Sequence, residues 1–369
     1  MDERELRIYW ALCPGLDAAT YRKLFAYFGS VRALSEASPD DWLGALRMRP
    51  ETARKMAAWQ EAAPRRAGHV EMELAGAGIE CLVQGDASYP TCLLDLFDPP
   101  VVLFARGNIN LLAKDDGVAI VGTRRSSSYG TYATKWIASA LAKAGIVVYS
   151  GMAMGIDACA HQSVLDSDGC AIAVLGCGID VCYPPSNRPL YRRLSEHGLL
   201  LSEYAPRSLA AKHRFPERNR LIAALSRATV VIQAGEKSGA LRTAESALDL
   251  GRDVWVVPGP ITSKSFRGSH QLLVDGAIPL VDPIALLVHY GHPVKRVKGS
   301  GELLPRQLIP RHLQDLARFL AEEGPLRAGE IALLTAAAPG KVHAQLLEME
   351  LASLVRRLPD GRYQMDIHL

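Results

Sequence analysis

The chain has 369 residues, 49% hydrophobic and 22% charged, with mean hydropathy near zero and 42 Lys and Arg against 39 Asp and Glu. That balance fits a globular protein of two or three domains and excludes collagen-like or low-complexity chains. No apolar run approaches the roughly 20 residues of a membrane span, and the opening MDERELRIYW has early carboxylates instead of an apolar signal core, so a cytoplasmic protein is expected.

Residues 1–110 read as a small helical domain, SAM- or helix-hairpin-helix-like, with a connector. Within 11–30, Pro14-Gly15 precedes an apolar stripe of Leu16, Tyr21, Leu24, Phe25 and Phe28, with Asp17 as N-cap and Gly29 as breaker. AAPRRAGH (62–69) and DASYP (86–90) read as loops. From 117 the pattern changes to short Val- and Ile-rich runs: GVAIVG, GIVVYSG, CAIAVLG, LLLSE, ATVVIQAG, DVWVVPG and AIPLV. Helical stretches such as 129–145 and 238–251 separate them. Continuous apolarity marks strands covered on both faces, so 111–290 is expected to be a doubly wound parallel α/β sheet. Residues 291–308 read as a basic linker. Residues 309–369 hold three amphipathic helices and a hairpin with an Asp360-Gly361 turn, a winged-helix pattern.

The seven cysteines are scattered without a CxxC pair, which predicts reduced thiols and no zinc ribbon; no metal or cofactor is expected. Charge is uneven. Between 188 and 220 stand eight basic residues (Arg188, Arg192, Arg193, Arg207, Lys212, Arg214, Arg218, Arg220) against Glu196, Glu203 and Glu217, a balance that points to a polyanionic ligand or a solvated helix face.

In an open parallel sheet, ligands lie beyond the carboxyl ends of the strands, so the strand-to-helix loops matter together. GTRRSSSYG (122–130) offers Gly122 for a tight turn, Arg124 and Arg125 as fork-shaped donors, and Ser126 and Ser127 at a helix start. It is neither a Walker A loop nor GxGxxG. SGMAMGIDACAH (150–161) offers Gly151 and Gly155 for close backbone approach. Asp157 and His161, four apart on one helix face, lack a third metal ligand and are expected to fix the loop by hydrogen bonds. GCGIDVCYPPSNRPLY (176–191) leads into a helix that Ser186 or Asn187 could cap. SEYAPRSLAAKHRFPERNR (202–220) brings Lys212 and Phe215 beside Arg218, Asn219 and Arg220, cations and a ring that would suit the phosphates and bases of a single strand. QAGEKSGALRTAES (233–246) sets Lys237, Ser238 and Gly239 before another helix.

These loops, with KSGALRTAESAL (237–248) and VPGPI (257–261), occur in the order seen in the DNA processing protein A (DprA/Smf) family, which the chain resembles over about 160 residues. The resemblance implies an extended Rossmann-like domain, a homodimer, binding of single-stranded DNA, and loading of the RecA recombinase on incoming strands in natural transformation or repair. By position it implies nucleic-acid contacts from Arg124, Arg125, Lys212, Phe215, Arg218, Asn219, Arg220, Lys237, Ser238 and Gly239, and the loop pattern adds Gly122, Ser126, Ser127 and Gly151 to the expected contacts. His270 departs from the Asn usual in similar proteins. Two rival readings remain: a nucleotide N-glycosidase using Glu245, and a transcription regulator acting through the winged helix. Against the second, LLEMELASL carries Glu348 and Glu350 and no Lys or Arg.

Overall fold

The computed structural model describes residues 2–114, 116–292, 310–351 and 354–365. They belong to two compact units, 1–292 and 293–369; the expected linker, from 293 on, lies outside the described residues.

The first unit opens with five helices, α1 (Glu3–Ala11), α2 (Ala18–Phe28), α3 (Val31–Glu36), α4 (Pro39–Ala45) and α5 (Pro50–Gly76). As the pattern predicts, the Asp17 carboxylate accepts from the Thr20 amide at 2.7 Å to start α2, and Gly29 closes it at φ 74°. The expected loop at 62–69 is instead the middle of α5, with Pro64 inside the helix. Ala63, Ala67, Val70 and Leu74 continue one buried stripe through it, and that packing outweighs the single helix bond a proline removes.

Among the described residues one sheet has nine strands: β1 (Glu80–Val83), β2 (Val102–Gly107), β3 (Gly117–Val121), β4 (Val147–Ser150), β5 (Ala171–Val174), β6 (Leu199–Ser202), β7 (Ala228–Val231), β8 (Asp253–Val256) and β9 (Ile278–Pro279). Their order is β1-β2-β6-β5-β4-β3-β7-β8-β9, parallel from β6 to β9. The inner strands are buried along their whole length, as continuous apolarity requires.

The boundary expected at 110 does not divide the structure. β1 and β2 add antiparallel to β6, with Leu82 opposite Leu103 and Phe104 opposite Ser202. The run VVLFA (101–105), buried throughout, was the signal for β2. Helices α6 (Ser128–Lys143), α7 (Ile156–Asp166) and α8 (Arg188–His197) cover one face; α9 (Arg214–Ala224) and α10 (Gly239–Asp249) pack together on the other. α11 (Arg267–Val274) and α12 (Pro283–His289) complete the unit. The second unit packs α13 (Gln314–Glu323), α14 (Ala328–Leu334) and α15 (Pro339–Leu351) around Leu316, Leu320, Ile331, Val342, Leu346 and Met349. The hairpin of β10 (Val355–Arg357) and β11 (Tyr363–Met365) closes this winged helix.

A buried ion network joins the N-terminal helices to the sheet. Arg22 of α2 donates to Glu203, just after β6, at 2.6 Å and to Asp98 at 3.0 Å; Arg220 of α9 donates to the same Glu203 oxygen at 2.6 Å. Glu203 is buried and shares its carboxylate between the two arginines, so losing Arg22 leaves it with Arg220 as its remaining cation and removes two charge-assisted hydrogen bonds. Arg22→Ala is therefore expected to destabilise the first unit by about 1.5–3 kcal/mol, read as a lower urea midpoint at unchanged slope.

Candidate nucleic-acid interface

β3 and β7 are neighbours, yet the helices that follow them, α6 and α10, leave toward opposite faces. A crevice opens at their carboxyl ends, where such sheets bind ligands. The two loops at the crevice are stitched together. The Thr123 amide donates to the Gln233 carbonyl at 2.8 Å, and the buried Gln233 side chain accepts from the Ser127 amide and hydroxyl, each at 3.0 Å. Gln233 also donates to the Ser265 hydroxyl at 2.8 Å, tying in the loop after β8. Gly122 is required by contact: a Cβ there would stand 2.6 Å from Cγ1 of Ile156.

The crevice holds a cavity of about 720 Å³. Arg124, Arg125, Lys212 and Lys237 line it, with Gly122, Asn219, Ser238 and Gly239. The four cations are exposed and form no ion pair among the described residues, whereas Arg22, Arg220 and Arg252 are paired with carboxylates. Uncompensated positive charge in a concave wall concentrates a potential that draws polyanions. The first amides of α10 add to it, with Ser238 accepting from the Ala240 amide at 3.4 Å and Asn219 donating to the Gly239 carbonyl at 3.1 Å. Phe215 supplies a half-buried ring, with the Arg124 guanidinium 5.3 Å from its centroid.

Other expected contacts have different work. Arg218 lines the cavity floor but is only 4% exposed; it donates to the carbonyls of Gly151, at 2.8 Å, and Val174. It therefore holds the loops from below and is not available as a free phosphate-binding arm. Gly151 is the seat for this guanidinium: a Cβ would lie 2.6 Å from its Cζ. Arg220 points away from the cavity into the Glu203–Asp98 network, so its charge is spent there. The Ser127 hydroxyl bonds Gln233 and caps α6 by accepting from the Gly130 amide at 3.0 Å, and Ser126 pairs with Thr131 at 3.0 Å. Both serines lie outside the cavity lining. Asn187 caps nothing through its side chain; it donates to the Met152 carbonyl at 2.9 Å. His270, the departure noted above, approaches the Gly259 carbonyl at 3.1 Å and is not in the cavity wall. Tyr183, which sequence reasoning did not single out, does line the cavity; its signal was an aromatic side chain just before Pro184-Pro185 in a loop of the binding edge.

Residues 80–290 match the family described as DNA recombination-mediator protein A, and 311–361 match the DprA winged helix domain. The chain belongs to the DNA recombination-mediator protein A family. It is 38% identical over 316 residues to protein Smf of Synechocystis sp., covering 77% of this chain and 79% of that one. It is 42% identical over 192 residues to DNA processing protein DprA of Streptococcus pneumoniae, covering 52% and 67%. The solved structure of the Streptococcus pneumoniae DprA superposes with a TM-score of 0.66 at 32% identity, covering 78% of this chain and 98% of that chain. A structure of DNA processing protein A from Helicobacter pylori, described by its single-stranded DNA binding mode, gives 0.53 at 31% identity, covering 57% and 95%.

Under the cavity of this family member lie three buried titratable groups. Burial pushes the Asp157 carboxyl up and the Arg218 guanidinium down, each opposing the other's pull. Asp157 accepts from the Ala153 amide at 3.4 Å and so fixes the loop as expected. His161 does not: neither ring nitrogen has a partner of good geometry, and burial holds it down to about 3, with Arg218 acting in the same direction and the Ser150 backbone against it. The unfolded chain, with an ordinary imidazole near 6.5, therefore takes up a proton first as pH falls. This contribution to stability is complete above pH ~6.5 and is lost toward pH ~3, at up to roughly 1.4 kcal/mol per pH unit. In His161→Met, urea unfolding between pH 4.5 and 6 is expected to show a slope against pH shallower by one proton. Gly151→Ala is expected to displace Arg218 and cost about 1–3 kcal/mol in the same assay.

Proposed function

We propose that the cavity binds single-stranded DNA, with the phosphates on Arg124, Arg125, Lys212, Lys237 and the first amides of α10, and a base against Phe215. The observation that carries this reading is the grouping of four unpaired cations with the Phe215 ring around a single crevice. A paired duplex keeps its bases stacked and offers no base face to such a ring, whereas a single strand does. The Helicobacter pylori relative, whose structure concerns single-stranded DNA binding, supports the same choice. Gly239, where a Cβ would meet nothing within 4 Å, leaves room for close backbone approach in this scheme, and Gly122, Asn219 and Ser238 line the same wall. Contact is with phosphates and base faces, so sequence preference is weak.

On this reading the chain is a cytoplasmic binding protein and not an enzyme. It works as a homodimer, which lengthens the footprint on the strand, and loads RecA on incoming single strands in natural transformation or repair. Glu245, on which the glycosidase alternative depends, is exposed on α10, lies 3.3 Å from Arg242 and is not among the cavity residues. The regulator alternative meets an acidic α15: Glu350 is exposed, and Glu348 lies 2.9 Å from His312. Such a face repels the phosphates that border a major groove.

The test is fluorescence anisotropy with a labelled oligo-dT and the corresponding duplex across a salt series. Four neutralised phosphates predict log K falling against log salt with a slope of about −3, using the single-strand coefficient of ~0.7. Lys212→Glu is expected to weaken binding at least tenfold and flatten the slope toward about −2. Equal binding of duplex, with no effect of Lys212→Glu, would place the interface elsewhere.

A further inference from the structure

Phe215 is not alone in the cavity wall. Tyr183, which no expected contact included, has its ring centroid 5.3 Å from that of Phe215 with the planes 32° apart. It is 41% exposed and lines the cavity. Most other tyrosines of this unit are buried, and several spend their hydroxyls inside the fold: Tyr9 donates to the Trp59 carbonyl, Tyr89 to that of Pro100 and Tyr191 to that of Ile179. Tyr183 instead presents its ring beside uncompensated cations.

The support under this ring is rigid. Its loop is tied to the segment after β6 by the Gly178 amide donating to the Ser208 carbonyl at 2.8 Å and by Asp180 accepting from the Arg207 amide at 2.7 Å. Asn187 anchors the same loop to Met152. Gly176 admits Phe215 beneath, since a Cβ there would lie 2.8 Å from Cδ1 of the ring. On the far side, Arg124, Tyr183 and Phe215 also wall a small apolar slot of about 30 Å³ with Met154 and Cys177. Arg124 thus rests on Phe215 with no carboxylate to hold it there.

We propose that Tyr183 and Phe215 form a two-ring platform on which bases of a bound single strand stack, and that Arg124 is the group a base displaces from Phe215. This rests on the cavity being the single-strand site. A guanidinium over a half-buried ring at the rim is held weakly, and a base stacked on the same ring is held more strongly; the freed arginine then finds a phosphate. Cations answer to the phosphates and rings to the bases, so the two contributions separate when the bases are removed.

The experiment compares oligo-dT with an abasic oligomer of equal length, both labelled, against wild type, Tyr183→Ala, Tyr183→Phe and Lys212→Glu. Tyr183→Ala is expected to weaken oligo-dT about tenfold while changing abasic binding less than twofold. Tyr183→Phe, which keeps the ring, should bind both as wild type does. Equal loss on the two oligomers, no loss on either, or a Phe variant as weak as Ala would overturn the platform. Lys212→Glu is expected to weaken both oligomers alike. If it changes neither, the cavity reading itself fails, and that failure is separate from loss of the platform alone.

Discussion

The reversal of strand order between β3 and β7 is the constraint on which the remaining structure depends. Right-handed crossovers carry α6, α7 and α8 along one face as the chain moves from β3 to β6, and carry α9 and α10 along the other once it returns to β7. Only at that seam do adjacent strands send their helices apart. The loops at the seam are left without a covering helix and must be held by each other, which is the work of Gln233 and Thr123. Every cation and ring of the proposed binding surface is then presented around one opening.

A second constraint lies below the opening. The Arg218 guanidinium is buried and donates to carbonyls at the ends of β4 and β5, so the loop that begins at Gly151 cannot shift without leaving a charge unsatisfied. Asp157 offsets part of that charge, and His161 stays neutral beside it. A floor held this way fixes the backbone at the ends of β4 and β5 beneath the opening. α9 supplies both parts, with Phe215 in the wall and Arg218 in the floor. Through Arg220 the same helix is fastened to Glu203 and Arg22, and thereby to the N-terminal helices.

The arginines show how far composition reaches. Arg124, Arg218 and Arg220 all stand in basic stretches, and the sequence offers no reason to treat them differently. In the structure one is free at the rim, one bonds carbonyls under the floor and one is paired with the carboxylates of Glu203 and Asp98. Roles diverge because a guanidinium takes whichever acceptor lies within reach, and reach is set by helical phase. On α9, Arg218 and Arg220 are two residues apart, about 200° around the axis, and so face opposite neighbours.

What the sequence by itself determined was the class of fold and the edge of the sheet where chemistry gathers. Continuous Val- and Ile-rich runs and glycine-containing loops are local signals, because burial on both faces and close backbone approach select residue types directly. The winged helix was legible for the same reason, from helical stripes and an Asp-Gly turn. Strands β1 and β2 escaped because their place beside β6 comes from pairing across about 100 residues, and α5 continues through Pro64 because distant packing outweighs a local breaker. Only the tertiary structure decided which polar groups remained free for a ligand, since that depends on partners brought together by folding. It withdrew Ser126, Ser127, Gly151, Arg218 and Arg220 into the scaffold and brought Tyr183 into the wall.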